Sequence, residues 1–491
     1  MKTNKKNEKL IERGAIFLCA VLMITICSKS SPLYPFNDWD DPNCFFTVGK
    51  SMVNGKVLYH DIFEQKGPLL YMLHELTYLI SGTTFLGVYV VEIIACFATL
   101  VLSAKIIRLF CEGSVVFAVY PLATLIYSSL SFCSGDSAEE FCLPLIEYCF
   151  YVGMKALKTD KKITPLQALF CGVTLGVVLW VKFTMLGFYI GFILAFVVLY
   201  IRQKQIKEIF ISALSMLVGV LISTIPVIIY FAKYNAFNDL FEVYFYDNLF
   251  LYSTGSNTNP LFKAIINLFM GLAAFAGYHT FGFLLLIFGF IMLIKHKEKK
   301  LLFLFSCLVV STFFFTFVGG RAYAYYSFVM SVFSPVGLVG VISFCKYKFK
   351  KHREEKIAKT AHKLAGVLSV LAAIALCRNT YLIFIPQDDM PQFRFNKIIS
   401  QTNQPTLLNY GFLDGGFYTV SGIVPNCKYF CQLNVEYNEM YHTQQEYAEQ
   451  GKVDFIVTKN EKPDFELYEC VDSCEFVYWY DTSTYYLFKL K

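Results

Sequence analysis

The chain has 491 residues, 56% of them hydrophobic and 16% charged, which is too apolar for an ordinary soluble domain. Its net charge of +6 is spread in short clusters between apolar blocks, so the basic stripe of a nucleic-acid-binding domain is excluded. Aromatic residues reach 18%, which suits lipid-facing helices and interfacial belts.

In chain order, the basic stretch Met1 to Arg13 is expected to stay in the cytoplasm. Gly14 to Pro32 is the first expected crossing, close to the roughly 20 residues that span a bilayer. It runs into Pro-Tyr-Pro and acids with no small-residue cleavage site, so no cleavable signal is expected. A polar stretch follows, read as a first external loop over 33–83. It carries Asp38, Asp40, Asp41, Asp61, Glu64 and Lys66. Within it, 67–82 is a short apolar segment expected at the outer interface. Further crossings are expected over 84–104, 114–132, 140–157, 165–181, 183–201 and 208–232. A second, partly amphipathic external loop covers 233–278. Crossings at 279–294, 301–318, 322–345 and 362–385 complete about eleven spans.

Lys and Arg placement sets the orientation. Inner loops would carry Lys105 and Arg108, then Lys155 to Lys162, Arg202 to Lys207, Lys295 to Lys300, and the run from Lys346 to Lys363. Outer loops carry few basic residues, among them Lys50, Lys56, Lys66 and Arg321. The N-terminus is thus expected inside and the C-terminal segment outside, in a multi-pass plasma-membrane protein. Residues 1–385 form the expected transmembrane domain. Residues 386–491 read as a small external α/β domain, with β-rich runs at 406–410, 453–458, 475–480 and 485–490. A helix is expected from Asn438 to Gln450, stopped by Gly451. Cys427, Cys431, Cys470 and Cys474 fall in this domain. Disulfides are the plain expectation outside the membrane, with the pairing open.

Ionisable groups at the membrane mark candidate chemistry. One acidic group is Asp38, Asp40 and Asp41; another is Asp61 and Glu64 with Lys66. A third is Asp136, Glu139 and Glu140, and Arg321 follows Gly319-Gly320 at the outer end of a later span. These could meet in one external cavity, where a carboxylate takes a proton from a hydroxyl and Lys or Arg holds a phosphate. The bland reading is that acids on external loops are solvated. Asp38 and Asp136 are read as bystanders, and Lys182 as a snorkelling lysine. Glu92 and Glu147 are read as paired inside the bundle. Pro42 is expected to hold Asp41 in extended backbone.

The runs Asp41-Pro-Asn-Cys-Phe-Phe, Gly55-Lys-Val-Leu-Tyr-His-Asp61 and Phe63-Glu-Gln-Lys-Gly-Pro-Leu-Leu-Tyr71 resemble the first-loop signature of GT-C membrane glycosyltransferases. The branch is that of the protein O-mannosyltransferases and the aminoarabinose transferase. Gly135 to Pro144 resembles its second acidic motif, and Gly319 to Tyr326 with Pro335 its late Gly-Arg-Tyr segment. Tyr325 stands where many members have His, so no base is assigned there. The resemblance implies sugar transfer from a polyprenyl-phosphate donor to an envelope glycan, lipid or protein on the outer face, with inversion. It implies Asp41 as base, with Asp40 second choice and Glu64 beside them. Lys66 and Arg321 would bind the donor phosphate, and Glu139 and Glu140 the acceptor. Mg2+ or Mn2+, used by some relatives, would fall to Asp40 and Asp41. The rival readings are a flippase or transporter of lipid-linked glycans, and a polysaccharide polymerase or ligase.

Overall fold

A computed structural model describes residues 2–112, 115–251, 260–348, 355–435, 437–478 and 481–491. The side chains of the basic run from Lys346 to Lys363 lie outside the described residues. The chain divides into two compact units. One comprises Met1–Ser28, Val91–Ile225 and Asn257–Thr380; the other comprises Lys29–Val90, Pro226–Ser256 and Tyr381–Lys491.

The first unit is a helical bundle. Among the described residues of the whole chain, seven helices are long and apolar enough to cross a membrane, or eight if the bent pair Leu364–Leu376 and Arg378–Phe384 is one span. A helix occupies each of the eleven segments expected to cross. One apolar helix was not foreseen: Pro260–Tyr278 falls in the segment read as the second external loop. By length and composition its segment Leu261–Tyr278 could also cross a membrane. The protein is therefore a multi-pass membrane protein. Small residues set the close approaches in this bundle. A Cβ on Gly172 would lie 2.0 Å from the Met216 carbonyl oxygen, so helices Pro165–Val181 and Ile206–Tyr234 cross where only glycine fits.

The second unit joins the first expected external loop, and residues 233–256 of the second, to the C-terminal segment. The first loop is not irregular. It folds into helices Asp40–Val53 and Pro68–Tyr78, the second opened by Pro68, whose missing N–H costs nothing at a helix start. The two pack tightly: a Cβ on Gly49 would lie 2.6 Å from the His74 backbone carbon. The C-terminal segment carries a four-stranded sheet of order β1-β2-β4-β3, with β1 Leu407–Asn409, β2 Phe455–Lys459, β3 Tyr468–Tyr478 and β4 Asp481–Leu490. β1 and β2 are parallel, and their connection contains the helix Asn438–Glu449. β4 runs antiparallel to both neighbours. Gly451, at φ +64°, follows that helix where the sequence placed its stop. Two short helices here, Pro391–Ile399 and Phe417–Ser421, span only nine and five residues and were not foreseen from the sequence.

Candidate active site

In the second unit the turn Glu64-Gln65-Lys66-Gly67 is held from several sides. The Lys66 N–H donates to Glu64 Oε2 and to the Tyr71 hydroxyl, both at 2.9 Å. The Tyr59 hydroxyl donates to the Lys66 carbonyl, and Asn248 Nδ2 donates to the Gln65 carbonyl at 2.7 Å. Tyr59 itself sits at φ +67° and stacks on Phe231 at 5.8 Å between centroids. This fixed backbone places the Lys66 ammonium 3.9 Å from Glu64 Oε1 and 5.6 Å from the Phe45 ring centroid. Burial pushes the Glu64 carboxyl up, and the Lys66 charge and N–H oppose that shift. Asp41 adds to the same field, so Asp41, Glu64 and Lys66 share one neighbourhood.

Asp40 and Asp41 occupy the first turn of the helix Asp40–Val53. This corrects the extended backbone expected for Asp41. Pro42 falls within that first turn, where an N–H has no intrahelical partner to lose, and the helical start wins. Burial pushes the Asp40 carboxyl up to about 7; Lys459 opposes that shift, and Asp41, Asp414 and Asp38 add to it. A carboxyl held toward its neutral form is a poor cation ligand, because metal binding needs the carboxylate. Among the described residues no three His, Cys, Asp or Glu side chains group so as to hold a metal. Asp40 and Asp41 would therefore offer a Mg2+ or Mn2+ no third such side chain from the described residues.

Asp38 is not a solvated loop acid. It is buried and ion-paired with buried Lys29 at 2.6 Å. The other face of the helix Asp40–Val53 docks on the C-terminal segment. Thr47 Oγ1 donates to Asp414 Oδ2 at 2.6 Å, Lys50 Nζ to the Tyr418 carbonyl at 2.6 Å, and Thr419 Oγ1 to Asn43 Oδ1 at 2.9 Å. Lys50 is fully buried, and burial pulls its ammonium down to about 7 against the opposing charge of Asp414.

The first unit holds the other expected residues. Gly135 and Asp136 turn the chain at φ +82° and +60°. A Cβ on Gly135 would lie 2.3 Å from both Glu92 Oε1 and Ser28 Oγ, so the turn demands glycine. The Asp136 N–H donates to Glu92 Oε1 at 2.8 Å and to Glu140 Oε2 at 2.9 Å. Ser28 Oγ donates to Glu92, and Ser103 Oγ to Glu147 at 2.6 Å, which gives both intramembrane acids partners. Ser137 caps the next helix by accepting from the Glu140 N–H at 3.1 Å.

Lys182 does not snorkel. It is 8% exposed, ion-paired with buried Glu139, and its ammonium lies 4.0 Å from the Tyr326 ring centroid and 5.1 Å from that of Tyr325. Its place at the break between two apolar helices was the available signal. Among the described residues, Glu139 Oε2 and Glu140 Oε1 are buried and meet no hydrogen-bond partner. Arg321 donates from Nη1 to the Tyr323 hydroxyl at 3.1 Å, beside the mutually packed rings of Tyr323, Tyr325 and Tyr326. Asp40, Asp41, Glu64 and Lys66 thus belong to the second unit, and Glu139, Glu140 and Arg321 to the first.

The chain was compared with known proteins. Two solved structures of ArnT from Cupriavidus metallidurans are similar to it. The form bound to undecaprenyl phosphate has a TM-score of 0.62, and the apo form 0.58. Each is 9% identical, with 98% of both chains covered. No curated protein matches the sequence. The fold is thus shared end to end with these ArnT structures, which is the GT-C type of fold expected from the sequence. Residues 1–386 match the family described as "Putative competence-induced protein Ccs4 N-terminal domain". On that match the chain, with its GT-C fold, belongs to the Ccs4 N-terminal domain family.

Proposed function

We propose that the protein transfers a sugar from a polyprenyl-phosphate donor to a cell-envelope acceptor on the outer face of the membrane, with inversion. The observation that carries this reading is the end-to-end likeness to an ArnT structure bound to undecaprenyl phosphate. The rigid Glu64–Lys66 turn, with Asp41 in its field, supports it.

The chemistry follows from the residues. An acceptor hydroxyl attacks the anomeric carbon. Asp41 accepts its proton as the new C–O bond forms and the bond to phosphate breaks. Negative charge gathers on the departing polyprenyl phosphate. Lys66, whose backbone is already fixed, stabilises that charge without reorganisation. Arg321, from the late Gly-Arg-Tyr segment, is the second cation proposed for the phosphate. Glu64 holds the Lys66 turn through its N–H and is a positioning residue. Glu139 and Glu140, in the second acidic motif, accept from the acceptor hydroxyl in this reading.

Removing a charged partner of a phosphate costs roughly 1.5–3 kcal/mol, or about 10–100-fold in affinity. Native mass spectrometry of the purified chain with undecaprenyl phosphate should show that loss for Lys66→Ala and for Arg321→Ala. Unchanged affinity in both variants would contradict the phosphate assignment.

A further inference from the structure

We propose that Cys44 and Cys431 form a disulfide that locks the first-loop helix Asp40–Val53 to the C-terminal segment. The inference rests on the external placement of this unit proposed above. The sequence left the pairing of the C-terminal cysteines open. The structure brings Cys431 within 3.9 Å, Sγ to Sγ, of a cysteine 387 positions earlier in the chain. Cys470 and Cys474 turn instead toward the carbonyl oxygens of Asp472 and Asp389, at 3.6 and 3.7 Å.

The two backbones that carry this pair are fixed. Cys44 lies in the docked helix, between the Asn43–Thr419 and Thr47–Asp414 hydrogen bonds. Cys431 follows Phe430, whose carbonyl accepts from the Tyr418 hydroxyl at 2.9 Å, and precedes Gln432, whose N–H donates to the Phe412 carbonyl at 2.8 Å. Side-chain rotation alone would need to close the remaining gap to the roughly 2 Å of a bond. Both thiols are buried, at 2% and 1% exposure. The neighbouring thiol and burial push Cys44 up, and burial does the same to Cys431. Neither is a ready nucleophile once the protein is folded. The bond therefore forms while the seam is closing.

The co-reactant is a disulfide of the extracytoplasmic thiol pool, carried by a dithiol oxidoreductase. One cysteine thiolate attacks it and forms a mixed disulfide, releasing one oxidant thiolate. The second cysteine thiolate displaces the other. The two protein sulfurs lose two electrons to the oxidant, and the two protons end on its thiols. The product spans the seam through which the C-terminal segment holds the helix bearing Asp41.

The test is cysteine mapping of the full chain from cells quenched with N-ethylmaleimide, digested without reduction. The expected result is a peptide linking Cys44 to Cys431. It should disappear on reduction and in Cys431→Ser, and persist in Cys427→Ser. Reductant should lower the thermal midpoint of the parent and leave that of Cys431→Ser unchanged. Recovery of Cys44 and Cys431 both carrying N-ethylmaleimide would overturn the proposal, as would a Cys427–Cys431 link. The parent map decides even if Cys431→Ser fails to accumulate. It involves no sugar transfer, so its failure leaves the transferase reading to be judged by its own assays.

Discussion

Asp38 and Lys29 show how burial changes the meaning of a residue. On the sequence alone Asp38 is one acid in a wet loop, and its removal should be neutral. In the structure it neutralises a lysine that is 1% exposed. Removing one partner of a buried pair costs about 3–5 kcal/mol, because the other charge is left uncompensated. Asp38→Asn should therefore lower the thermal midpoint by several degrees, and Lys29→Met with Asp38→Leu should recover much of the loss. An unchanged midpoint in Asp38→Asn would contradict the pairing. The same reversal applies to Lys182. The sequence shows a lysine between apolar helices, and it cannot show the Glu139 carboxylate and Tyr326 ring that hold it. Asp41 and Lys66 could be singled out in the sequence because they sit in a motif with local turn chemistry. Long-range partners leave no such local trace.

At the scale of the element, the helix Asp40–Val53 carries two groups that titrate in opposite senses. Asp40 is raised to about 7, so the folded protein keeps a proton that the unfolded chain gives up. Its contribution to stability is present at low pH and is lost as pH rises toward about 7. Lys50 is lowered to about 7, so above that pH the unfolded chain binds more protons. Stability then rises with pH until the ordinary lysine range is reached. Relative to Asp40→Asn, the parent's thermal midpoint should fall from about pH 4 to about pH 7. Relative to Lys50→Met, it should rise above about pH 7. Parallel pH profiles for parent and variants would contradict the shifts of both groups. The sequence could mark this stretch as polar and charged. It could not show a helix with one face sealed against Asp414, Tyr418 and Thr419, since those partners lie some 370 residues away. The strand β2 was easier to read, because it is rich in β-branched and aromatic residues, whereas β3 and β4 begin well before the runs expected at 475–480 and 485–490.

For the whole molecule, the apolar blocks were legible because a bilayer imposes length and composition on every span. The exception is Pro260–Tyr278, which reads as amphipathic but folds as a long apolar helix. Orientation rests on the Lys and Arg bias between blocks. Reporter tags at Lys161 and Lys297 should read cytoplasmic, and a tag after Lys491 external. A cytoplasmic reading after Lys491 would remove the external site, since the C-terminal segment shares a compact unit with Asp41 and Lys66.

The central claim is that Asp41 takes the acceptor's proton while polyprenyl phosphate leaves. A positioned base contributes about 10²–10⁴-fold. The most direct measurement is the rate of polyprenyl phosphate release by parent and Asp41→Asn, each in liposomes with its copurifying lipid-linked sugar and a cell-envelope extract as acceptor. The account predicts a fall of about 10²–10⁴-fold in Asp41→Asn, with undecaprenyl phosphate still bound and the fold intact. Release by Asp41→Asn at the parental rate would contradict it.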